Sequence, residues 1–226
     1  MKDKYCLPII KESPEDIFLT IKRLEHDYGY FEIWLDYLNN IDESKILTLA
    51  NGYPGRLVFV FRRKNLEPIQ MPLATRLNLI DKLSKIDCLV DIDISCQQDE
   101  LEYIKDNAVQ FGKIISFHDY EKTPEDKELK DKINQMQSYE ADILKISTFC
   151  NSKNDAIRLM KLQTELIENN QKHIVLGMGE NGLVTRIFGT LWGNELAFIP
   201  EDSENETAPG QITKAKFETI MKELTD

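Results

Sequence analysis

Lys145 stands in the run Asp142-Ile143-Leu144-Lys145-Ile146-Ser147, an amine in the middle of an apolar, strand-like stretch. A lysine so placed has two uses. One is a structural ion pair with a buried aspartate. The other is a nucleophile, an amine whose pKa is depressed by desolvation and neighbouring cations so that it condenses with a ketone to form a Schiff base. His118 closes the preceding strand-like run. Alone it reads as a satisfied structural histidine; beside an inward lysine on the next strand it becomes a candidate proton shuttle near neutral pH. Arg62 and Arg186 are cations suited to a small anionic substrate, and taken singly each reads equally well as a solvated surface arginine. Further acids at Glu32, Asp36, Asp91 and Asp93 recur at alternate positions of other β-rich runs. Cys6, Cys88, Cys96 and Cys150 form no CxxC pair and read as small core hydrophobes of a reducing compartment. With His26, His118 and His173 as the histidines, no zinc-like cluster forms, so no metal is expected.

Positioning these groups takes strands. Eight β-rich runs appear, at 5–10, 30–38, 56–63, 88–95, 113–120, 142–149, 173–179 and 195–200. Amphipathic or capped segments separate them. Ser13-Pro14-Glu15-Asp16 is an N-cap with proline at the first helical position, and Ile17, Ile21 and Leu24 make the stripe that follows. Ser152 with Asp155 opens another helix. Further helices are expected at 44–50, 73–84, 99–107, 124–138 and 213–224, and a short one at 182–188. Strand–helix repetition implies a parallel sheet with right-handed crossovers, either closed into a barrel or open and doubly wound. No glycine-rich fingerprint follows the first run, where Leu7-Pro8-Ile9-Ile10-Lys11 has no glycine. The strands of an open parallel sheet are apolar on both faces. Here Phe31, Ile33 and Leu35 alternate with Glu32, Trp34 and Asp36, and Val90, Ile92 and Ile94 with Asp91, Asp93 and Ser95. The apolar face suits the helices, and the polar one then points into a barrel interior. The expected fold is α/β, a single (β/α)8 TIM barrel over residues 1–226.

Charges gathered inside a barrel cost several kcal/mol of desolvation unless they pair, so their presence marks a site at the carboxyl ends of the strands. Composition narrows what that site serves. The chain is 42% hydrophobic and 30% charged, a globular balance rather than a disordered one. A net charge of −11 argues against nucleic acid and anionic membrane as partners. The apolar runs are too short to span a bilayer, and no signal peptide precedes the first strand, so a cytoplasmic location is expected.

Six stretches, in order, resemble type I 3-dehydroquinate dehydratases. Glu32-Ile33-Trp34-Leu35-Asp36 resembles the family's Glu-x-Arg-x-Asp, and Val58-Phe59-Val60-Phe61-Arg62 its Phe-Thr-x-Arg. Ser116-Phe117-His118-Asp119 is similar to the segment with the catalytic histidine, and Asp142–Ile146 to the strand with the Schiff-base lysine. Gly177-Met178-Gly179 followed by Arg186 resembles the seventh-strand motif that leads to a substrate-binding arginine. Thr207-Ala208-Pro209-Gly210-Gln211 is close to the Ser-Ala-Pro-Gly-Gln loop that closes over substrate. The resemblance implies a shikimate-pathway lyase acting on 3-dehydroquinate, with Lys145 as Schiff-base amine and His118 as acid–base. Glu32, Arg62, Arg186, Thr207 and Gln211 would bind substrate. It implies no organic cofactor, since the lysine is the electron sink, and a possible homodimer.

Two departures stand out. Trp34 occupies the place of the family's arginine, leaving Arg62 and Arg186 to carry the anion. Asn65-Leu66-Glu67-Pro68 replaces the Glu-Gly-Gly whose glutamate orients the histidine, so either Glu67 serves from a reshaped loop or His118 lacks that orienter. Two alternatives share the inward lysine: another Schiff-base barrel lyase such as a class I aldolase, and a degenerate barrel that binds a shikimate-like anion without turnover.

Overall fold

The computed structural model describes Lys2–Thr225. Its eight strands are β1 Tyr5–Ile9, β2 Tyr30–Trp34, β3 Leu57–Val60, β4 Leu89–Asp93, β5 Gly112–Asp119, β6 Ile143–Phe149, β7 His173–Met178 and β8 Ala197–Phe198. The helices between and after them are α1 Pro14–Leu24, α2 Glu43–Gly52, α3 Leu73–Leu83, α4 Gln98–Asp106, α5 Asp126–Gln137, α6 Lys153–Glu168, α7 Leu183–Trp192 and α8 Lys214–Thr225. All ladders are parallel, and the strand order is β7-β6-β5-β4-β3-β2-β1-β8. The last strand thus lies beside the first, as a (β/α)8 barrel requires and an open doubly wound sheet does not.

Three helices, α1, α2 and α6, form where the sequence supplies both a side-chain cap and a stripe. Ser13 Oγ accepts the Asp16 amide at the head of α1, and Ile17, Ile21 and Leu24 are buried against the sheet. Burying each such aliphatic side chain contributes about 1.5–3 kcal/mol. Ser152 and Asp155 form a reciprocal capping box at the head of α6. The helix expected at 182–188 runs on to Trp192, through Gly189. A methyl group at Gly189 would lie 2.7 Å from Asn194 Nδ2, so glycine lets the helix and the following turn approach.

Two layers fill the structure. Phe31, Ile33, Phe59, Val90, Ile92, Ile115, Leu144 and Ile146 face outward and pack under the helices. Cys6, Val58, Ile114, Ile143, Ile174, Leu176, Leu196 and Phe198 form a separate apolar cluster inside the barrel. Asp36 corrects the expected alternation. β2 ends at Trp34, the chain tightens into a 3-10 turn over Leu35–Tyr37, and Asp36 leaves the interior. Its carboxylate accepts the Gln70 amide at 3.0 Å and the Met71 amide at 2.6 Å, with Arg63 at 3.2 Å, and so anchors the β3–α3 loop.

Among the described residues no ladder joins β7 to β8. The Glu195 amide donates to His173 O at 2.9 Å, and next to it a side chain bridges the gap. Asn194 Oδ1 accepts the Val175 amide at 2.9 Å while Asn194 Nδ2 donates to Val175 O at 3.2 Å. One buried carboxamide thus stands in for a missing peptide group and satisfies main-chain atoms that the interior would otherwise orphan. No described helix is long and apolar enough to cross a membrane.

Candidate active site

Strand register sets the depth of each inward group. Ser116 on β5 lies opposite Lys145 on β6, and His118 lies opposite Ser147. The imidazole is therefore one inward step nearer the carboxyl end than the amine, and both line one cavity with Glu32, Trp34, Arg62, Tyr120, Arg186, Phe198, Thr207 and Gln211. All seven site residues named from the sequence meet there: Lys145, His118, Glu32, Arg62, Arg186, Thr207 and Gln211.

Asp91 sits at the centre of the β2–β6 side. Its Oδ1 accepts Arg62 Nη1 at 2.7 Å and Ser116 Oγ at 2.6 Å; its Oδ2 accepts Arg62 Nη2 at 3.1 Å and Lys145 Nζ at 2.7 Å. Four donors on one buried carboxylate outweigh the cost of desolvating it. Burial pushes the Asp91 pKa upward, but Arg62 and then Lys145 overcome this and hold it well below the usual carboxylate range. Arg62 answers in kind. Burial pulls its guanidinium down, and Asp91 raises it above its ordinary value. Lys145 Nζ also lies 3.5 Å from Glu32 Oε1 and 4.1 Å from the centre of the Phe198 ring. Its direct charged partners are carboxylates, not the cations expected beside a nucleophilic lysine. The structural pairing and the exposure to the cavity hold at once.

Glu32 is held from its other side by the Trp34 indole, whose Nε1 donates to Glu32 Oε2 at 2.8 Å. The same ring lies 5.5 Å from the Arg62 guanidinium. Tryptophan thus pins Glu32 without adding a charge.

His118 is buried, with Nδ1 hydrogen-bonded to Asp93 Oδ2 and Nε2 3.5 Å from Arg62 Nη2. Burial and then Arg62 lower its pKa below the ordinary 6.5, against the opposing pull of Asp93. Tyr120 stacks on the imidazole at 6.1 Å. Glu67 does not reach it: that side chain is 56% exposed and lies 3.8 Å from Arg63.

The opposite wall is differently made. Arg186 on α7 is buried, has no carboxylate within salt-bridge distance among the described residues, and donates at 3.3 Å to Pro209 O. Its Nε has no partner. Burial lowers its pKa to about 10, which leaves it charged at neutral pH. Thr207 and Gln211 satisfy each other: the Thr207 amide donates to Gln211 Oε1 at 2.7 Å, and Gln211 Nε2 to Thr207 Oγ1 at 3.1 Å. Gly210, at φ 77°, presses this loop on the Gly179 turn, where the Gly179 amide donates to Pro209 O at 3.1 Å. A side chain at Gly210 would strike Gly179 O at 2.7 Å. Among the described residues no cluster of three or more His, Cys, Asp or Glu is placed to hold a metal.

The geometry adds Asp91, Asp93, Ser116, Tyr120, Trp34 and Phe198 to the site. The first two stand in the Val90–Ile94 alternation, which gives their direction but not their partners. Tyr120 shares the parity of His118 two residues on.

The sequence profile of the type I 3-dehydroquinase family matches residues 5–225. The chain belongs to that family. Among curated relatives, the 3-dehydroquinate dehydratase of Methanococcus maripaludis is 30% identical, over 96% of this chain and 98% of its own length. That of Methanocaldococcus jannaschii is 31% identical, over 92% of both. The 3-dehydroquinate dehydratase structure from Geobacillus kaustophilus superposes with a TM-score of 0.82, covering 97% of this chain and 90% of that one. At 24% identity this last likeness speaks to the fold alone, and it bears out the barrel. The chain is thus an enzyme of the type I 3-dehydroquinase family.

Proposed function

We propose that this chain dehydrates 3-dehydroquinate to 3-dehydroshikimate through a Schiff base on Lys145. The observation that carries the reading is the placing of an amine and an imidazole on adjacent strands of one cavity, which a guanidinium without a carboxylate partner also lines. Lys145 Nζ adds to the C3 ketone and water leaves, giving an iminium. The iminium draws electrons from C2, and His118 Nε2 takes the C2 proton to leave an enamine. The enamine collapses, the C1–O bond breaks, and the imidazolium returns its proton to the departing hydroxyl as water. Hydrolysis of the iminium frees the product and Lys145, so the sum is one water lost per turnover.

The surrounding groups divide the remaining work. Arg186 receives the substrate carboxylate, the one charge its wall lacks, with Thr207 and Gln211 turning their hydrogen bonds toward the ligand. Glu32 positions the ring beside Lys145. Arg62 acts mainly through Asp91, which keeps Lys145 within reach. The cavity as it stands holds about 30 Å³, too little for a cyclic acid, so the proposed reaction requires it to widen, and the 207–211 loop is the candidate for that movement.

The test is an ultraviolet assay for the conjugated enone product with 3-dehydroquinate, combined with borohydride. Absorbance should rise, and borohydride added during turnover should fix the ligand's mass on the peptide containing Lys145. No product removes the reaction; product with the mass on another lysine, or on none, removes the mechanism.

A further inference from the structure

We propose that Asp93 is the positioning residue for His118, holding the imidazole with its proton on Nδ1 and its lone pair on Nε2, toward the cavity. The inference rests on His118 as the acid–base of the proposed reaction. Both oxygens of the Asp93 carboxylate are committed: Oδ2 to His118 Nδ1, and Oδ1 to the Ser95 amide at 2.7 Å. Its main chain is fixed as well. The Asp93 amide donates to Gln97 Oε1 at 3.0 Å, and Asp93 O accepts the Gln97 amide at 3.0 Å. Gln97 is buried and in turn reaches Glu100, which Arg76 Nε holds at 2.5 Å. A carboxylate gripped this way cannot rotate from the imidazole, so it sets both tautomer and ring plane. Among the described residues no other group lies within hydrogen-bond distance of Nδ1. Arg62 faces the other nitrogen, Tyr120 faces the ring, Lys145 and Asp91 lie across the Arg62 pair, and Glu67 is at the surface.

Asp93→Asn tests this, because the Ser95 amide decides how the new carboxamide sits. Its oxygen is claimed by Ser95 N–H, so its NH2 faces His118 Nδ1 and forces the proton onto Nε2. The lone pair then points away from the cavity and the base is lost. We expect kcat to fall by roughly 10²–10⁴-fold, the worth of a positioned acid–base group, with KM within about threefold. Borohydride should still fix ligand on Lys145, since the amine is untouched. Nitrogen-15 NMR of the histidines should show His118 protonated at Nδ1 in the wild type and at Nε2 in the variant. Glu67→Ala should leave kcat within about twofold, as expected for an exposed side chain. Near-normal turnover of Asp93→Asn while His118→Ala is slow would overturn the role of Asp93 alone. Near-normal turnover of His118→Ala would instead overturn the acid–base reading. If the asparagine variant does not fold, the wild-type spectrum decides: a proton on Nε2 refutes the proposal.

Discussion

The two walls of the cavity handle charge in opposite ways. On the β2–β6 wall, Arg62, Asp91, Lys145 and Glu32 neutralise one another through hydrogen bonds within 3.5 Å, with Trp34 and Ser116 adding donors. On the α7 wall Arg186 is as deeply buried, yet has a peptide oxygen as its polar partner. A closed network fixes geometry before substrate arrives, which suits groups that must be aimed. An unpaired buried cation stores a desolvation cost that an anion relieves, which suits a group that must bind. Under the proposed function, aiming and binding thus fall to different walls.

Breaking the closed wall at its amine should have the largest effect. Lys145→Ala removes the proposed electron sink and one donor to Asp91, and kcat should drop on the order of 10⁴–10⁶-fold, as for a nucleophile with no local substitute. Residual turnover within tenfold of wild type would show that the wall is only structural. His118→Ala comes next, at roughly 10²–10⁴-fold in kcat, with the Lys145 adduct still trappable. In the wild type, the acid limb of kcat/KM should fall below pH 6.5. The depressed pKa of His118 keeps the base neutral to lower pH, and activity is lost as pH falls through the folded-state value. The same sign governs stability. The neutral form's contribution is present above 6.5 and is lost as pH falls through that lower value.

On the open wall the effect should move from kcat to KM. Arg186→Ala removes the anion partner, and loss of a charged hydrogen bond worth about 1.5–3 kcal/mol corresponds to a KM roughly 10- to 150-fold higher. The variant should also be no less stable than wild type, because an unpaired buried charge has been deleted. A kcat loss with unchanged KM would place Arg186 among the aiming groups and dissolve the contrast. The smallest effect is expected from Trp34→Phe. It takes one donor from Glu32 and so costs about 1–3 kcal/mol of stability, readable as a lower Tm, with KM within about threefold. A large rise in KM would mean that Trp34 touches substrate and that the two walls are not separate.

The β/α alternation, the inward parity of the polar residues and the placing of Lys145 and His118 on adjacent strands were all legible in the sequence, because strand periodicity is local information. Partners were not. That Arg62 is occupied by Asp91, rather than free for substrate, depends on a pairing across 29 positions that no spacing encodes. Asp36 shows the limit within a single strand: period-two reading carried it inward, but the chain turned after Trp34. The loss of the family's glutamate near Glu67 was visible, whereas the carboxylate beside His118 came from a strand read only for its alternation.

The Asn194 carboxamide that spans β7 and β8 gives the molecule a clasp where other strand pairs have a zipper. A zipper parts one rung at a time, whereas a clasp is shut or undone. The two-residue β8 hangs from the undoable side, while the 207–211 loop that follows it is tied to the Gly179 turn after β7. Amide hydrogens there should exchange with solvent sooner than those of β5 and β6, whose ladder runs from Ile114 to Asp119. Opening on that side leaves whole the β5–β6 ladder, the one that holds Lys145 and His118, so the clasp and the workbench are built on separate strands.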